Sequence, residues 1–290
     1  MRVRRSMSIL PLLLACGCGS SADPGTSLRV TEVTLLGDLE CFRVETPSAT
    51  YFYGKKGAGF ASILDPDGKD WISYRHGGKA AGEYRGLPKC GQPTKLFHAG
   101  YGFGPYPTEN PFTSRVVLQE RDHLQIASES KDGRSACTWD FYPSCATLTL
   151  LRIGLPRYWF LYEGTPGGNL NPEEDVAIRP GGRRTKLSEP WEDTIPWVGF
   201  GSKGSPYTLV LVCHEEPAPA ASYVAWPYQP EADGGYRQMT VFGWGRRGWK
   251  DPKQHEPALA TLPARFSVAL VAGTDEATLL HAAQDRAMWK

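Results

Sequence analysis

Residues 136–168 of this 290-residue chain, ACTWDFYPSCATLTLLRIGLPRYWFLYEGTPGG, carry the most direct indication of its fold class. Two runs within the stretch, ATLTLLRI and RYWFLYEG, are rich in β-branched and aromatic residues and have the length of strands. They are separated by Gly154, Leu155 and Pro156. This composition and spacing predict two strands joined as an antiparallel hairpin.

The second run predicts which side chains share a face, because successive residues of a strand point to opposite sides. One face carries Tyr158, Phe160 and Tyr162, and the other carries Trp159, Leu161 and Glu163. Glu163 therefore shares a face with apolar side chains, which makes it the first candidate functional residue. The alternative, that Glu163 ends its strand in solvent before the TPGG turn, stays open.

Strand patterns of this kind recur along most of the chain. They occur in residues 28–74, 112–142, 197–216, 236–246 and 264–273, separated by the turn sequences DPDG, KDG and KGSP. Residues 169–196 are polar and predict a solvated excursion. Only residues 275–289 favour a helix, which Thr274 or Asp275 can cap. We therefore predict a mainly β protein, a large antiparallel sandwich with a short C-terminal helix, as one domain over residues 28–290.

Composition limits the functional classes. Lys and Arg number 32 against 31 Asp and Glu, so no basic surface predicts nucleic-acid binding. An apolar content of 41% is enough for a sizeable core. No cofactor-binding motif and no zinc-type spacing of His and Cys occurs, so we expect neither a cofactor nor a metal, and we expect a monomer.

The N-terminus predicts export. Three arginines precede a short apolar segment in residues 1–15, and Leu13 to Cys16 resembles a bacterial lipobox. Cys16 would then be the lipidated first residue, with residues 16–27 as a flexible tether that holds the domain at the cell envelope, on its periplasmic or outer side. Cys18 is a poorer alternative site, and an ordinary secretory signal is the alternative interpretation.

An exported protein can form disulfides. Cys137 and Cys145 flank the segment TWDFYPS, which can reverse direction at Pro143, so they are the first candidate pair. A second pair is Cys41 with Cys90. Cys213 lies in an apolar run and is expected to be a buried free thiol.

Residues 75–111 show no periodicity and are dense in glycine, proline and aromatic residues. Long insertions without regular structure are commonly functional, and disordered linkers contain few aromatic residues. The insertion also contains Glu83, Tyr84, Arg85 and His98, which can bind ligands or transfer protons. The alternative is that Glu83 and Arg85 pair only to fasten the loop.

Residues 45–73, ETPSATYFYGKKGAGFASILDPDGKDWIS, resemble the opening of galactose mutarotase-like supersandwich domains, which begin with strands around such a turn. The later segments MTVFGWGR and ARFSVALVAGTD are similar to segments of exported proteins from carbohydrate-degrading bacteria. The resemblance implies a sandwich that binds or processes carbohydrate. Mutarotases place their catalytic Glu near the C-terminus, where this chain has Glu256 or Glu276 without a supporting motif.

Two chemistries follow from this resemblance. Epimerase-like chemistry needs an acid and a base on opposite sides of a sugar ring, for which His98 and Glu163 are the candidates. Lyase-like chemistry needs a base and a cation beside a uronate carboxylate, for which Tyr84 and Arg85 are the candidates, with His98 as second proton-transfer group. We expect all four to converge on one cleft.

Further residues are candidates for substrate contact. These are Glu83, Tyr101, Trp139 and Trp226, the last in the loop-like segment YVAWPYQP. His214, Glu215 and Glu216 form another polar group, but adjacent strand residues do not all face one metal. A non-catalytic glycan-binding lipoprotein is the alternative function, because binding needs aromatic and hydrogen-bonding groups without a titratable pair.

Overall fold

The computed structural model describes residues 27–74, 85–90, 110–226, 239–246 and 257–284, and their regular structure is almost entirely β-strand. The first nine strands are β1 Arg29–Leu35, β2 Leu39–Glu45, β3 Thr50–Gly54, β4 Gly59–Leu64, β5 Gly86–Lys89, β6 Phe112–Gln119, β7 Leu124–Ser130, β8 Ala136–Phe141 and β9 Ala146–Arg152. The remaining elements are β10 Phe160–Gly164, β11 Val176–Arg179, β12 Arg183–Lys186, β13 Trp191–Thr194, β14 Trp197–Gly201, β15 Tyr207–Cys213, β16 Ala220–Trp226, β17 Met239–Trp244, β18 Ala264–Ala272 and the helix α1 Glu276–Gln284.

The strands form two nine-stranded antiparallel sheets. The first sheet has the order β1-β2-β3-β4-β5-β10-β17-β16-β13, and the second has the order β12-β11-β14-β15-β18-β9-β8-β7-β6. The predicted fold class, a large antiparallel sandwich with a C-terminal helix, is confirmed. No helix in the described ranges is long and apolar enough to cross a membrane.

The core lies between the sheets and is built largely from aromatic side chains. Phe160 of β10 stacks on Phe266 of β18 with ring centroids 4.2 Å apart, and Phe60 of β4 lies 4.3 Å from Trp139 of β8. Each pair joins one sheet to the other. Such aromatic pairs stabilise the packing by more than the burial of their area alone, so they hold the two sheets together.

The predicted hairpin between the strands at residues 146–153 and 157–164 is wrong. The first of these strands, β9, pairs with β8 and β18 in the second sheet, whereas β10 pairs with β5 and β17 in the first sheet. The intervening residues cross from sheet to sheet, and Tyr158 forms an isolated bridge with Leu259. Crossing places Phe160 on the sheet opposite Phe266, so the two rings stack across the core.

The polar stretch 169–196 is also more ordered than its composition predicts. It contains β11, β12 and β13, and these short strands supply one edge of each sheet. Arg179 of β11 and Asp193 of β13 form an ion pair of 2.9 Å that links the two edges. The charges of this segment therefore connect the sheets in addition to meeting solvent.

The helix α1 covers part of the outer face of the second sheet. Leu279 is buried there against a small apolar cluster that includes Ile178, Trp197 and Val210. The main-chain N–H of Thr278 donates to Asp275 Oδ1 at 2.9 Å, so Asp275 caps the helix as expected.

The predicted Cys137–Cys145 disulfide is wrong, since neither cysteine forms a disulfide in the structure. Cys137 of β8 lies opposite Leu150 of β9. Leu150 is five residues after Cys145, which is a distance of about 17 Å along an extended chain. Cys137 belongs to the core between the sheets and Cys145 to the apolar cluster on the outer face. Bridging needs Cα atoms within about 7 Å. Cys41, Cys90 and Cys213 are buried as well, and none of them forms a disulfide.

Candidate functional site on the first sheet

The site is centred on β10, which lies between β5 and β17 in the first sheet. Phe160 and Tyr162 face the core, as the alternation of the sequence predicts. Glu163 follows Tyr162 on the strand and therefore points to the outer face of the sheet. Its neighbours on the adjacent strands are Gly86 and Val241.

A bulge in β5 places Lys89 on the same outer face. Glu163 lies opposite Gly86, and Leu161 lies opposite Lys89. The two positions are three residues apart on β5 but only two residues apart on β10, so β5 contains one extra residue. Leu87 packs in the core. Regular alternation would turn Lys89 to the core as well, and the extra residue of the bulge reverses this.

Lys89 and Glu163 form a buried ion pair. The Lys89 Nζ atom lies 3.4 Å from both Oε1 and Oε2 of Glu163, and their side chains are only 7% and 5% exposed. Ionised groups are rarely buried unless they are paired, because each loses its hydration. Because so little of its side chain is exposed, Glu163 does not end its strand in solvent.

Arg246 adds a second cation beside Glu163. It follows Gly245, the first residue after β17, which has a φ of 73°. Its main chain forms an isolated β-bridge with Pro257. Burial lowers the pKa of the Arg246 guanidinium, and the charge of Glu163 opposes that shift. In the described part of the chain the Arg246 Nη1 atom has no hydrogen-bond acceptor, so it can donate a hydrogen bond to an oxygen atom of a ligand.

Sequence reasoning identified Glu163 but missed Lys89 and Arg246. Lys89 belongs to residues 75–111, which show no periodicity in the sequence although residues 86–89 form a strand. The available signal was a single charge in the otherwise apolar LPKC. Arg246 follows the aromatic and glycine-rich VFGWG in the same way.

Arg85 is buried close to the same strand but faces other partners. Its Nη1 atom donates to the main-chain oxygen of Ser73 at 3.2 Å, and its charge acts on the hydroxyl of Tyr162, whose pKa is raised mainly by burial. Leu87, two residues after Arg85, also faces the core side. Arg85 thus approaches β10 from the side of Tyr162, whereas Lys89 approaches from the side of Glu163.

The other proposed catalytic and binding residues in the insertion, Glu83, Tyr84, His98 and Tyr101, lie outside the described residues, as does Cys16. Trp226 ends β16, where it pairs with Met239. The convergence of Tyr84, Arg85, His98 and Glu163 therefore stays a prediction.

Trp139 is not positioned to bind a ligand. It is 1% exposed, packs between the sheets against Phe60, and lies opposite Ile126 and Leu148 on its neighbouring strands. In a sheet sandwich an alternating residue of a central strand faces either the core or the outside, and Trp139 faces the core. The expectation that it contacts substrate is corrected accordingly.

The described residues contain no group of three or more His, Cys, Asp or Glu side chains that could hold a metal ion. His214 instead interacts with Ser267, with its Nε2 atom 2.7 Å from the Ser267 Oγ atom.

The fold resembles solved structures at low sequence identity. HI1317 is 14% identical with a TM-score of 0.52, and the match covers 83% of this chain and 99% of that one. The proposed mutarotase YeaD from Salmonella typhimurium is 13% identical with a TM-score of 0.51, covering 84% of this chain and 94% of that one.

A galactose mutarotase-like protein from Clostridium acetobutylicum is 7% identical with a TM-score of 0.42, covering 84% of this chain and 98% of that one. No family model matches the sequence, and no curated protein matches it. The match to YeaD confirms the expected resemblance to mutarotase-like proteins for the fold alone. The fold is that of a large antiparallel β-sandwich, with a buried ion pair on its first sheet.

Proposed function

We propose that this protein binds and processes a saccharide on the outer face of its first sheet. The observation that carries the proposal is the buried Lys89–Glu163 pair beside Arg246. Buried charges at the centre of a sheet are costly and cluster at functional sites, where they position ligands and transfer protons. The mutarotase-like fold supports a saccharide as the ligand, but only by analogy.

Each group has a role in this proposal. Glu163 accepts a proton from a sugar hydroxyl or from a ring carbon, and Lys89 supplies the opposite charge or a proton. Arg246 binds an oxygen atom of the substrate with its available donor. With a uronate substrate these groups suit lyase chemistry, and with a neutral sugar they suit epimerase chemistry.

The test is an activity assay with uronate-containing and neutral polysaccharides. Unsaturated ends are followed by absorbance and reducing ends by a colorimetric assay, while NMR follows the exchange of sugar anomers. We expect turnover of at least one substrate, reduced about a hundredfold or more by Glu163→Gln. Glu174→Gln is the matched control, because Glu174 forms an exposed ion pair with Lys203.

Each variant is first checked for its folded β spectrum by circular dichroism at the assay temperature. Equal turnover by wild type and folded Glu163→Gln would contradict the assignment of Glu163. Binding without turnover on every substrate would favour the alternative, a glycan-binding module.

Anchoring at the cell envelope through lipidated Cys16 is a separate part of this proposal. It is supported by the basic and apolar segment before Leu13 to Cys16 and by the tether that follows. Metabolic labelling with palmitate tests it. Label should enter the wild type and disappear in Cys16→Ala, and a fully labelled Cys16→Ala would place any anchor elsewhere.

A further inference from the structure

A second group of polar side chains lies on the outer face of the second sheet, away from the site described above. This face is apolar where α1 covers it, around Ile178 and Val210. Beyond the helix it becomes polar. Gln125, Asp140, Thr147 and Ser267 lie directly opposite one another on β7, β8, β9 and β18. With adjacent strands about 4.8 Å apart, the row extends for about 14 Å.

Asp140 is the centre of this row. Its Oδ1 atom accepts hydrogen bonds from the His123 Nε2 atom at 2.8 Å and from the Gln125 Nε2 atom at 2.7 Å. Its side chain is 13% exposed and that of His123 is 26% exposed. Both of these hydrogen bonds end on Oδ1, and neither of them uses the second oxygen, Oδ2. One acceptor of this fixed carboxylate is therefore available to a ligand.

An aromatic surface borders the carboxylate. The rings of His123 and Tyr142 stack with centroids 4.7 Å apart and an interplanar angle of 14°. Burial, followed by the charge of Asp140, raises the pKa of the Tyr142 hydroxyl, and the charge of Arg265 opposes this. Tyr142, Asp140 and Arg265 therefore surround one region of the sheet.

Buried hydrogen bonds fix the other half of the row. The hydroxyl oxygens of Thr147 and Ser267 are 2.9 Å apart, and Ser267 also meets His214. Both hydroxyl groups are buried. Burial lowers the pKa of His214 to about 4, so its imidazole is neutral at physiological pH. Paired polar groups of this kind form a rigid base beneath the exposed half.

The chemistry of the exposed half selects the ligand class. Asp140 and Arg265 bring opposite charges to this region, so it favours neither an anion nor a cation, and the polar row disfavours an apolar partner. The flat face offers a carboxylate oxygen, an amide and the edge of an aromatic pair. A sugar suits these groups, because its hydroxyl groups form hydrogen bonds and its partly apolar ring contacts aromatic side chains. We propose that His123, Gln125, Asp140 and Tyr142 form a second binding site, for an uncharged oligosaccharide.

This site goes beyond the function proposed for the first sheet and does not depend on it. The two sites lie on the outer faces of different sheets, with the core between them. A polysaccharide held at the second site would stay close to the protein while another part of it visits the first site, which raises its effective concentration.

The experiment uses imidazole NMR signals with maltohexaose, cellohexaose and xylohexaose as separate probes at millimolar concentration. We expect at least one probe to shift the ring signals of His123 in the wild type. The shift should be retained in Glu163→Gln, once circular dichroism shows that it is folded, because the substituted side chain lies on the first sheet. Failure of the first-sheet function would thus leave this result unchanged.

Asp140→Asn should weaken binding about tenfold or more, because it removes the charged acceptor while an amide oxygen can still receive His123 and Gln125. Tyr142→Leu, at a half-buried ring, should weaken it as well. Glu129→Gln is the control, since Glu129 lies on the same face of β7 in an exposed pair with Arg152. The proposal is overturned if no probe shifts His123, or if Asp140→Asn and Tyr142→Leu both bind as the wild type does.

Discussion

Breaking the Lys89–Glu163 pair tests the energetics of the first-sheet site. At the observed separation of 3.4 Å, an effective dielectric constant of about 20 gives an attraction of about 5 kcal/mol. Removing one partner of a buried pair costs about 3–5 kcal/mol, because the remaining charge stays buried. We therefore expect Glu163→Gln to lower the free energy of unfolding by about 3–5 kcal/mol.

The neighbouring Arg246 makes the two single variants unequal. Glu163→Gln removes the carboxylate that faces both cations, whereas Lys89→Met leaves Glu163 with the favourable charge of Arg246. Lys89→Met should therefore cost less, about 2 kcal/mol, the value of one hydrogen bond to a charged group. The double variant should cost less than the sum of the two single variants.

Urea unfolding followed by circular dichroism measures these differences, and an unchanged dependence on urea shows that the compactness of the states is preserved. Glu174→Gln, at an exposed pair, should change stability by less than about 1 kcal/mol. A Glu163→Gln variant as stable as the wild type, or a Lys89→Met variant that loses more than Glu163→Gln, would refute this account of the site.

Three further predictions concern the rest of the sandwich. First, alkylation in the native protein should be slow and alkylation after unfolding without reductant complete at five cysteines, because they are buried and form no disulfide: Cys41, Cys90, Cys137, Cys145 and Cys213. Peptide mass spectrometry detects the label, and a pair that stays unlabelled in the unfolded chain would reveal a disulfide. Second, burial, followed by the charge of Arg265, lowers the pKa of His214 from 6.5 to about 4, so the unfolded chain binds this proton more tightly. The free energy of unfolding should therefore fall as pH drops from 6.5 towards 4. Urea unfolding should show a smaller fall over this pH range in His214→Gln than in the wild type. An equal dependence on pH in the two proteins would contradict the lowered pKa of His214. Third, a Cβ atom at Gly243 would overlap the side chain of Leu161 and lie 2.8 Å from the Phe160 oxygen, so Gly243→Ala should cost about 1–3 kcal/mol in urea, while Gly204→Ala, which meets only ordinary contacts, should cost less.

Local periodicity explains what the sequence predicts correctly. The alternation around β10 places Phe160 and Tyr162 in the core and Glu163 on the opposite face, because the period of two depends only on neighbouring residues. The turns at Gly68 and Gly133 also follow from local composition, and both glycines have positive φ angles. The fold class follows from the recurrence of such strands.

Pairing between distant strands is what the sequence does not specify. The short connection between β9 and β10 satisfies the composition of a hairpin, yet it carries the chain to the other sheet. The same limitation affects Cys137 and Cys145, which are close in sequence but face opposite sides of the second sheet. Separation along the chain sets an upper limit on distance and leaves the face undetermined.

The partners of Glu163 show why the site itself was only partly predictable. Glu163 belongs to a strand with clear alternation, whereas Lys89 reaches the same face only because β5 contains a bulge opposite β10. A strand of four residues is too short for its period to be recognised, and one extra residue reverses the side on which every later residue lies. Arg246 depends likewise on the positive φ of Gly245, which redirects the chain at the end of β17. Both cations are therefore positioned by departures from regular structure, and such departures are common where a sheet must present a charged side chain beside an apolar one.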